Sequence, residues 1–397
     1  MTKSEKQGFH TVEANAEEVD EKIYEHRKAV FWKAIWALGI LTVVLIAFGL
    51  WTSLRTFSSY DVRSSVERTD SAASSFTSFE GYLVKYSNDG IVCTDDAGEL
   101  VWNQSFEMSS PHISICKSYL AVYDQGGMEI YIMNENGVKN RIETNRPIQR
   151  ACVASQGTIA VLMKEGTTSY LKLYDQKGTE LANGEFYGDQ GGFAVDIAFS
   201  YDAQKLAVDM VDVSDGTIKS TINFYNFGSV GQNEINNNVG TYSFSDMLIP
   251  EIAYVSDDRM IAFADTEVII FSGSQKPQIL KEIYFENEIQ SVFHNEKYIG
   301  VVQSNYDEEG THHIRVFDMR GNEVTSADTE MAYREIEFLD NNEVCARNQN
   351  ECQIFTKHGI RKFAYTFDKE LYQVLSGATG ADYRMIFDGT TEEVHLK

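Results

Sequence analysis

The chain has 397 residues, with 34 Lys and Arg against 59 Asp and Glu and a formal net charge of −25. Nearly all of that negative charge lies after residue 51, so the bulk of the chain repels phosphate backbones and nucleic acid is a poor partner for it. Five cysteines with no Cys-x-x-Cys and no Cys/His spacing give no zinc pattern.

In chain order, residues 1–28 are polar and mostly charged and are expected to be a largely disordered cytoplasmic tail, although Glu13–Arg27 has the composition of a helix. Ala34–Trp51 then runs without one charged residue, close to the ~20 residues that cross a bilayer core. Phe31, Trp32, Trp36 and Trp51 flank it as an interfacial aromatic belt. A cleaved signal peptide would start nearer the N-terminus and end in a small-residue cleavage site, and a buried core helix would be shorter and amphipathic. Residues 29–51 are therefore read as a single membrane anchor whose partner is the lipid bilayer. His26, Arg27, Lys28 and Lys33 crowd its N-terminal side, which places that side in the cytoplasm and the remainder of the chain outside. Residues 52–79, rich in Ser and Thr, read as a spacer, with a short helix expected over part of Tyr60–Arg68.

From about residue 80 to 397 the texture is constant. Runs of 5–8 residues rich in Val, Ile, Tyr and Phe alternate with Gly, Asn and Asp turns, which is strand-and-hairpin patterning. One phrase recurs: an apolar residue, a short polar residue, two more residues and a glycine. Its clearest copies are Thr94–Gly98, Met133–Gly137, Tyr174–Gly178, Phe317–Gly321 and Phe355–Gly359, with looser ones ending in Gly228, Gly273 and Gly389. The polar side chain accepts bonds from its own turn and the glycine takes the positive φ that closes it. A period of roughly 40–45 residues built of strands means an all-β propeller of four-stranded blades. The glycine turns favour eight blades over seven. Glu393–Leu396 is expected to pair with sequence near the start of the domain and close the ring.

A second phrase precedes these turns, clearest in Ala198–Val208 and echoed in Tyr254–Phe263 and Phe338–Val344. It resembles the first-to-second strand hairpin of WD-repeat-like and related bacterial propellers. Asp95–Trp102 is similar to the tryptophan-docking phrase of quinoprotein propellers. That phrase occurs in one blade, without a cofactor site, and Trp102 is expected to pack between blades. As a whole, the anchor, the spacer and the degenerate repeats look like an uncharacterised family of single-pass, membrane-anchored propellers from Gram-positive-type envelopes. The resemblance implies an architecture and carries over no catalytic residue.

Two acidic hairpins are candidate binding-face loops: Asp209, Asp212 and Asp215 in one, and Asp307, Glu308 and Glu309 with His312 in the other. Neither matches a calcium loop, and adjacent His312 and His313 point to opposite faces of a strand. No metal and no cofactor is expected. A turn at Asn348-Gln349 would set Cys345 opposite Cys352, where a cross-strand disulfide is a candidate. No nucleophile elbow, zinc-protease helix or phosphate loop is present in the sequence. The expected function is binding or scaffolding in the cell envelope, with an envelope protein or polymer as partner. The alternative is a carbohydrate- or peptide-processing enzyme with an acidic site in the propeller funnel.

Overall fold

The computed structural model describes residues 16–69, 74–214, 216–305 and 310–397. It falls into two compact units, residues 1–55 and 56–397. The described part of the first holds one helix, α1, Ala16–Ser53, of 38 residues. Residues 20–45 of it are long and apolar enough to cross a membrane, and Phe31, Trp32 and Trp36 are exposed on it. Trp51 lies in its last turns. Residues 16–28, expected to be disordered, form its first turns.

Among the described residues of the second unit, 32 strands form eight four-stranded antiparallel sheets. Strand β1 is Tyr60–Glu67. Blade 1 is β2–β5 (75–105), blade 2 β6–β9 (111–143), blade 3 β10–β13 (148–187) and blade 4 β14–β17 (193–245). Blade 5 is β18–β21 (251–284), blade 6 β22–β25 (289–329), blade 7 β26–β29 (335–366) and blade 8 β30–β32 (371–396) completed by β1. The protein is thus an eight-bladed propeller in which the first and last strands pair, from Tyr60 opposite Leu396 to Glu67 opposite Thr390. This closure leaves no blade incomplete.

The closure corrects the reading of residues 52–79. Tyr60–Glu67 is a strand rather than a helix, and β2 (Ser75–Phe79) opens blade 1. The propeller therefore starts some twenty residues ahead of position 80. Its attachment starts earlier still: Phe57 bridges to Phe363, and the N–H groups of Ser58 and Ser59 bond the Lys397 carbonyl.

The turn phrase acts as its chemistry dictates. Oδ1 of Asp95 accepts from the N–H groups of Ala97 at 2.9 Å and Glu99 at 2.8 Å, and Gly98 takes a φ of 80°. In blades 1–7 the glycine of the phrase follows the third strand. Gly389 instead follows the second strand of blade 8, because the fourth strand of that blade comes from the other end of the chain.

The core is a ring of seams. Each cluster of buried apolar side chains draws on two neighbouring blades, for example Ala207, Ile222 and Phe224 of blade 4 with Ile252, Met260 and Phe271 of blade 5. Trp102 is buried between blades 1 and 2, as expected. The seam between blades 8 and 1 is the thinnest, holding Leu83, Leu375 and Ile386.

Candidate functional site

First strands of neighbouring blades contact one another, β6 with β10, β10 with β14, β14 with β18, β22 with β26 and β30 with β2, and so surround the propeller axis. Those of blades 2–6 enclose a cavity of about 230 Å³ lined by, among others, Arg150, Cys152, Tyr201, Glu251 and His294. Arg150 Nε lies 3.2 Å from Asp196 Oδ1, and Asp196 Oδ2 accepts from the Ile252 N–H at 2.9 Å. His294 Nε2 lies 3.7 Å from Glu251 Oε1. Blades 3, 4, 5 and 6 thus contribute Arg150, Asp196, Glu251 and His294 in turn, and these four are paired in twos.

Burial pushes the Asp196 carboxyl up to about 6, against the pull of Arg150. The nearby His294 imidazole holds Glu251 below the ordinary carboxylate range, against the effect of its burial. Cys152 donates to the Ile197 carbonyl at 3.2 Å, and burial pushes its thiol up to about 12, so it is no thiolate nucleophile near neutral pH. At the end of the axis formed by the first-to-second strand turns, Lys117 of blade 2 bonds Glu296 of blade 6. Those blades are half a ring apart, so the pair spans the channel, and the Lys117 ammonium also lies 5.3 Å from the Tyr201 ring centroid. The arrangement makes a small polar funnel with a bridged floor.

The described residues of the two acidic hairpins have separate surroundings. Asp209 lies within β15 and is fully buried, because its alternation places it with Ala207 on the face toward blade 5. Asp212 ends the same strand, and its Oδ1 accepts from the Ser214 N–H at 2.9 Å, an interaction inside its own turn that lowers its pKa. His312 lies on β24, where Nδ1 is 2.9 Å from Gln290 Oε1 and the ring packs edge-on to Tyr333. His313 points the other way, to Asp328. Asp215, Asp307, Glu308 and Glu309 lie outside the described residues. No group of three or more His, Cys, Asp or Glu side chains that could hold a metal occurs among the described residues.

Cys345 and Cys352 are buried free thiols with sulfurs 3.7 Å apart. Their turn lies one residue later than expected, so each partner is shifted by two residues. The Asn348 N–H bonds the Glu351 carbonyl, so the turn is Gln349-Asn350, and Cys345 faces Ile354 while Cys352 faces Arg347. The two cysteines are diagonal neighbours on one face.

Sequence reasoning missed the channel groups, because each sits alone in an unremarkable strand. It also missed a rim cleft of about 430 Å³ between blades 3 and 4, lined by Leu171, Ala182, Phe186, Tyr225 and Phe227. The insertion Gly231–Asn237 in blade 4 borders it and carries Ile235, which is 86% exposed.

The profile of a family described as of unknown function, DUF5711, matches residues 53–396. The chain belongs to that family. No curated protein is similar to it in sequence. Among solved structures it is similar to BamB from Moraxella catarrhalis, at 12% identity over 85% of this chain and 100% of that one, with a TM-score of 0.50. It is also similar to the Pan2 WD40 domain of Neurospora crassa, at 9% identity over 72% of this chain and 89% of that one, with a TM-score of 0.44. At such identities the likeness is one of fold.

Proposed function

We propose that this DUF5711 member is a binding or scaffolding module of the cell envelope, tethered by residues 29–51 with its N-terminus in the cytoplasm and its propeller outside. The observation that carries this reading is the state of the funnel. Arg150 is used by Asp196, His294 by Glu251, and Lys117 by Glu296. Groups that satisfy one another stiffen a wall, and the thiols that line it, Cys116 and Cys152, are each pushed up to about 12 by burial and so are no activated nucleophiles. A rigid ring with an apolar rim cleft suits protein recognition.

The enzyme reading keeps one specific support: Glu251 and His294 line one funnel, and Arg150, which lines it with them, holds Asp196, whose carboxyl is raised to about 6. Cross-linking the full chain in intact cells, with an anchor-only chain as control, distinguishes the two. The scaffold reading expects a discrete envelope protein captured equally by wild type and Glu251→Gln, and lost on Ile235→Asp. Capture no greater than with the anchor alone, together with a phenotype abolished by Glu251→Gln, would sink it in favour of an enzyme.

A further inference from the structure

Asp209 and Asp196 are directly opposite each other on β15 and β14. Residues so paired point to the same face with Cβ atoms about 4.5–5.5 Å apart. Here that face is the seam with blade 5, because Ala198 and Ala207, the next pair on it, pack with Ile252 and Met260. Asp196 is satisfied there by Arg150 and by the Ile252 N–H. Asp209 has no exposed surface, and neither of its carboxylate oxygens has a hydrogen-bond partner.

A bare carboxylate in such a place is far too costly to persist. Its surroundings offer no cation of its own. Ile222 stands opposite it on β16, and Ser220 on the same strand takes the Ile249 N–H. Beyond Asp196, the charged groups at this end of the seam are Arg150, Glu251 and His294, and Arg150 already serves Asp196.

We propose that Asp209 is held as a carboxylic acid in the folded protein and donates a hydrogen bond to Asp196, which makes the seam between blades 4 and 5 a proton-binding site. One proton satisfies both halves of the problem. It removes the buried charge and turns two acceptors into a donor and an acceptor. A bound divalent cation would need six or more oxygens and would sit beside the Arg150 guanidinium, so it suits this seam poorly. The electrostatics agree: burial first, then the Asp196 charge, pushes Asp209 up to about 8.

The sign of the pH effect follows. Below the ordinary carboxylate range both folded and unfolded chains carry the proton. Between about 4 and about 8 the unfolded chain has released it and the folded chain has not, so each step up in pH favours unfolding. Asp209 therefore leaves the seam tightest at and below about pH 4 and loosens it progressively up to about pH 8.

The test uses the full chain in detergent micelles. Infrared spectra at pH 7 should contain a protonated-carboxyl band that Asp209→Asn removes. Asn keeps the shape of the neutral acid, so this variant should melt above wild type at pH 8 and lose the part of the pH slope between 4 and 8 that belongs to Asp209. Absence of the band from wild type, or the same slope in both proteins, would overturn the proposal. So would a melting temperature raised by millimolar calcium or magnesium in wild type and unmoved in Asp209→Asn, because the carboxylate would then be held by a cation.

Discussion

Gly359 shows what a repeated turn demands of one residue. Its φ is 77°, Thr356 Oγ1 accepts from the N–H groups on either side of it, and a Cβ there would stand 2.2 Å from the Ser326 carbonyl oxygen of blade 6. Gly81 has a similar φ of 84°, but a Cβ there meets nothing within 4 Å. Alanine at Gly81 should cost about 1–2 kcal/mol, the left-handed penalty alone. At Gly359 the cost should be clearly larger, because the backbone of the neighbouring blade must also move. Urea melts of the two variants check this, and equal losses would show that the contact with Ser326 carries no weight. The cysteines make a second residue-scale case. Burial pushes Cys93 up to about 11 and Cys116 up to about 12, and contact with Cys352 together with burial raises Cys345 well above its ordinary value. Thiols so placed are inert. A disulfide would also require the Cys345 and Cys352 sulfurs to close from 3.7 Å to about 2 Å. The native chain should therefore resist alkylation near neutral pH, and the chain unfolded without reductant should take five labels. Three labels would establish the bridge.

The seams differ in strength, and the difference follows from what each buries. Between blades 7 and 8, the ammonium of Lys362 is buried, 2.6 Å from Glu343 and 2.7 Å from the Tyr383 hydroxyl, with the Gly380 carbonyl also accepting from it. Lys362→Met should cost about 3–5 kcal/mol, because Glu343 is left buried without its partner. Adding Glu343→Leu should return much of that loss, and a melt in which the double variant is no better than the single one would contradict the argument. The thin seam between blades 8 and 1 should give the fastest amide exchange among the strands. These elements also show what the residues reveal when read in line. The eight blades were legible because the turn phrase is local: Asp175, Lys177, Gly178 and Thr179 make their bonds within a few residues. Strand β1 was not, because it is an outer strand with both faces largely exposed, and Tyr-Asp-Val-Arg-Ser-Ser-Val-Glu shows little apolar alternation. The pairing of Asp196 with Asp209 and the bridge from Lys117 to Glu296 were hidden for a different reason. Each joins residues that only the register or the closed ring brings together.

At the scale of the whole molecule, the ring closure and the anchor bear on how topology can be measured. β1 begins at Tyr60, shortly after α1 ends at Ser53, and the Lys397 N–H bonds the Ser59 carbonyl, so both ends of the propeller chain are tied into one closed body. Such a ring of paired strands should resist protease whichever side of the membrane it faces, because cleavage needs unfolded backbone. Survival of the propeller is therefore no evidence of protection by a bilayer, and the readout has to come from flexible tags. The crowd of His26, Arg27, Lys28 and Lys33 before the apolar run predicts a cytoplasmic N-terminus. A tag appended after Lys397 should be removed when protease is added to intact, wall-stripped cells, while a tag ahead of Met1 should survive until the membrane is ruptured. The reverse pattern would place the propeller in the cytoplasm. Loss of both tags from intact cells would show that α1 does not span the bilayer at all.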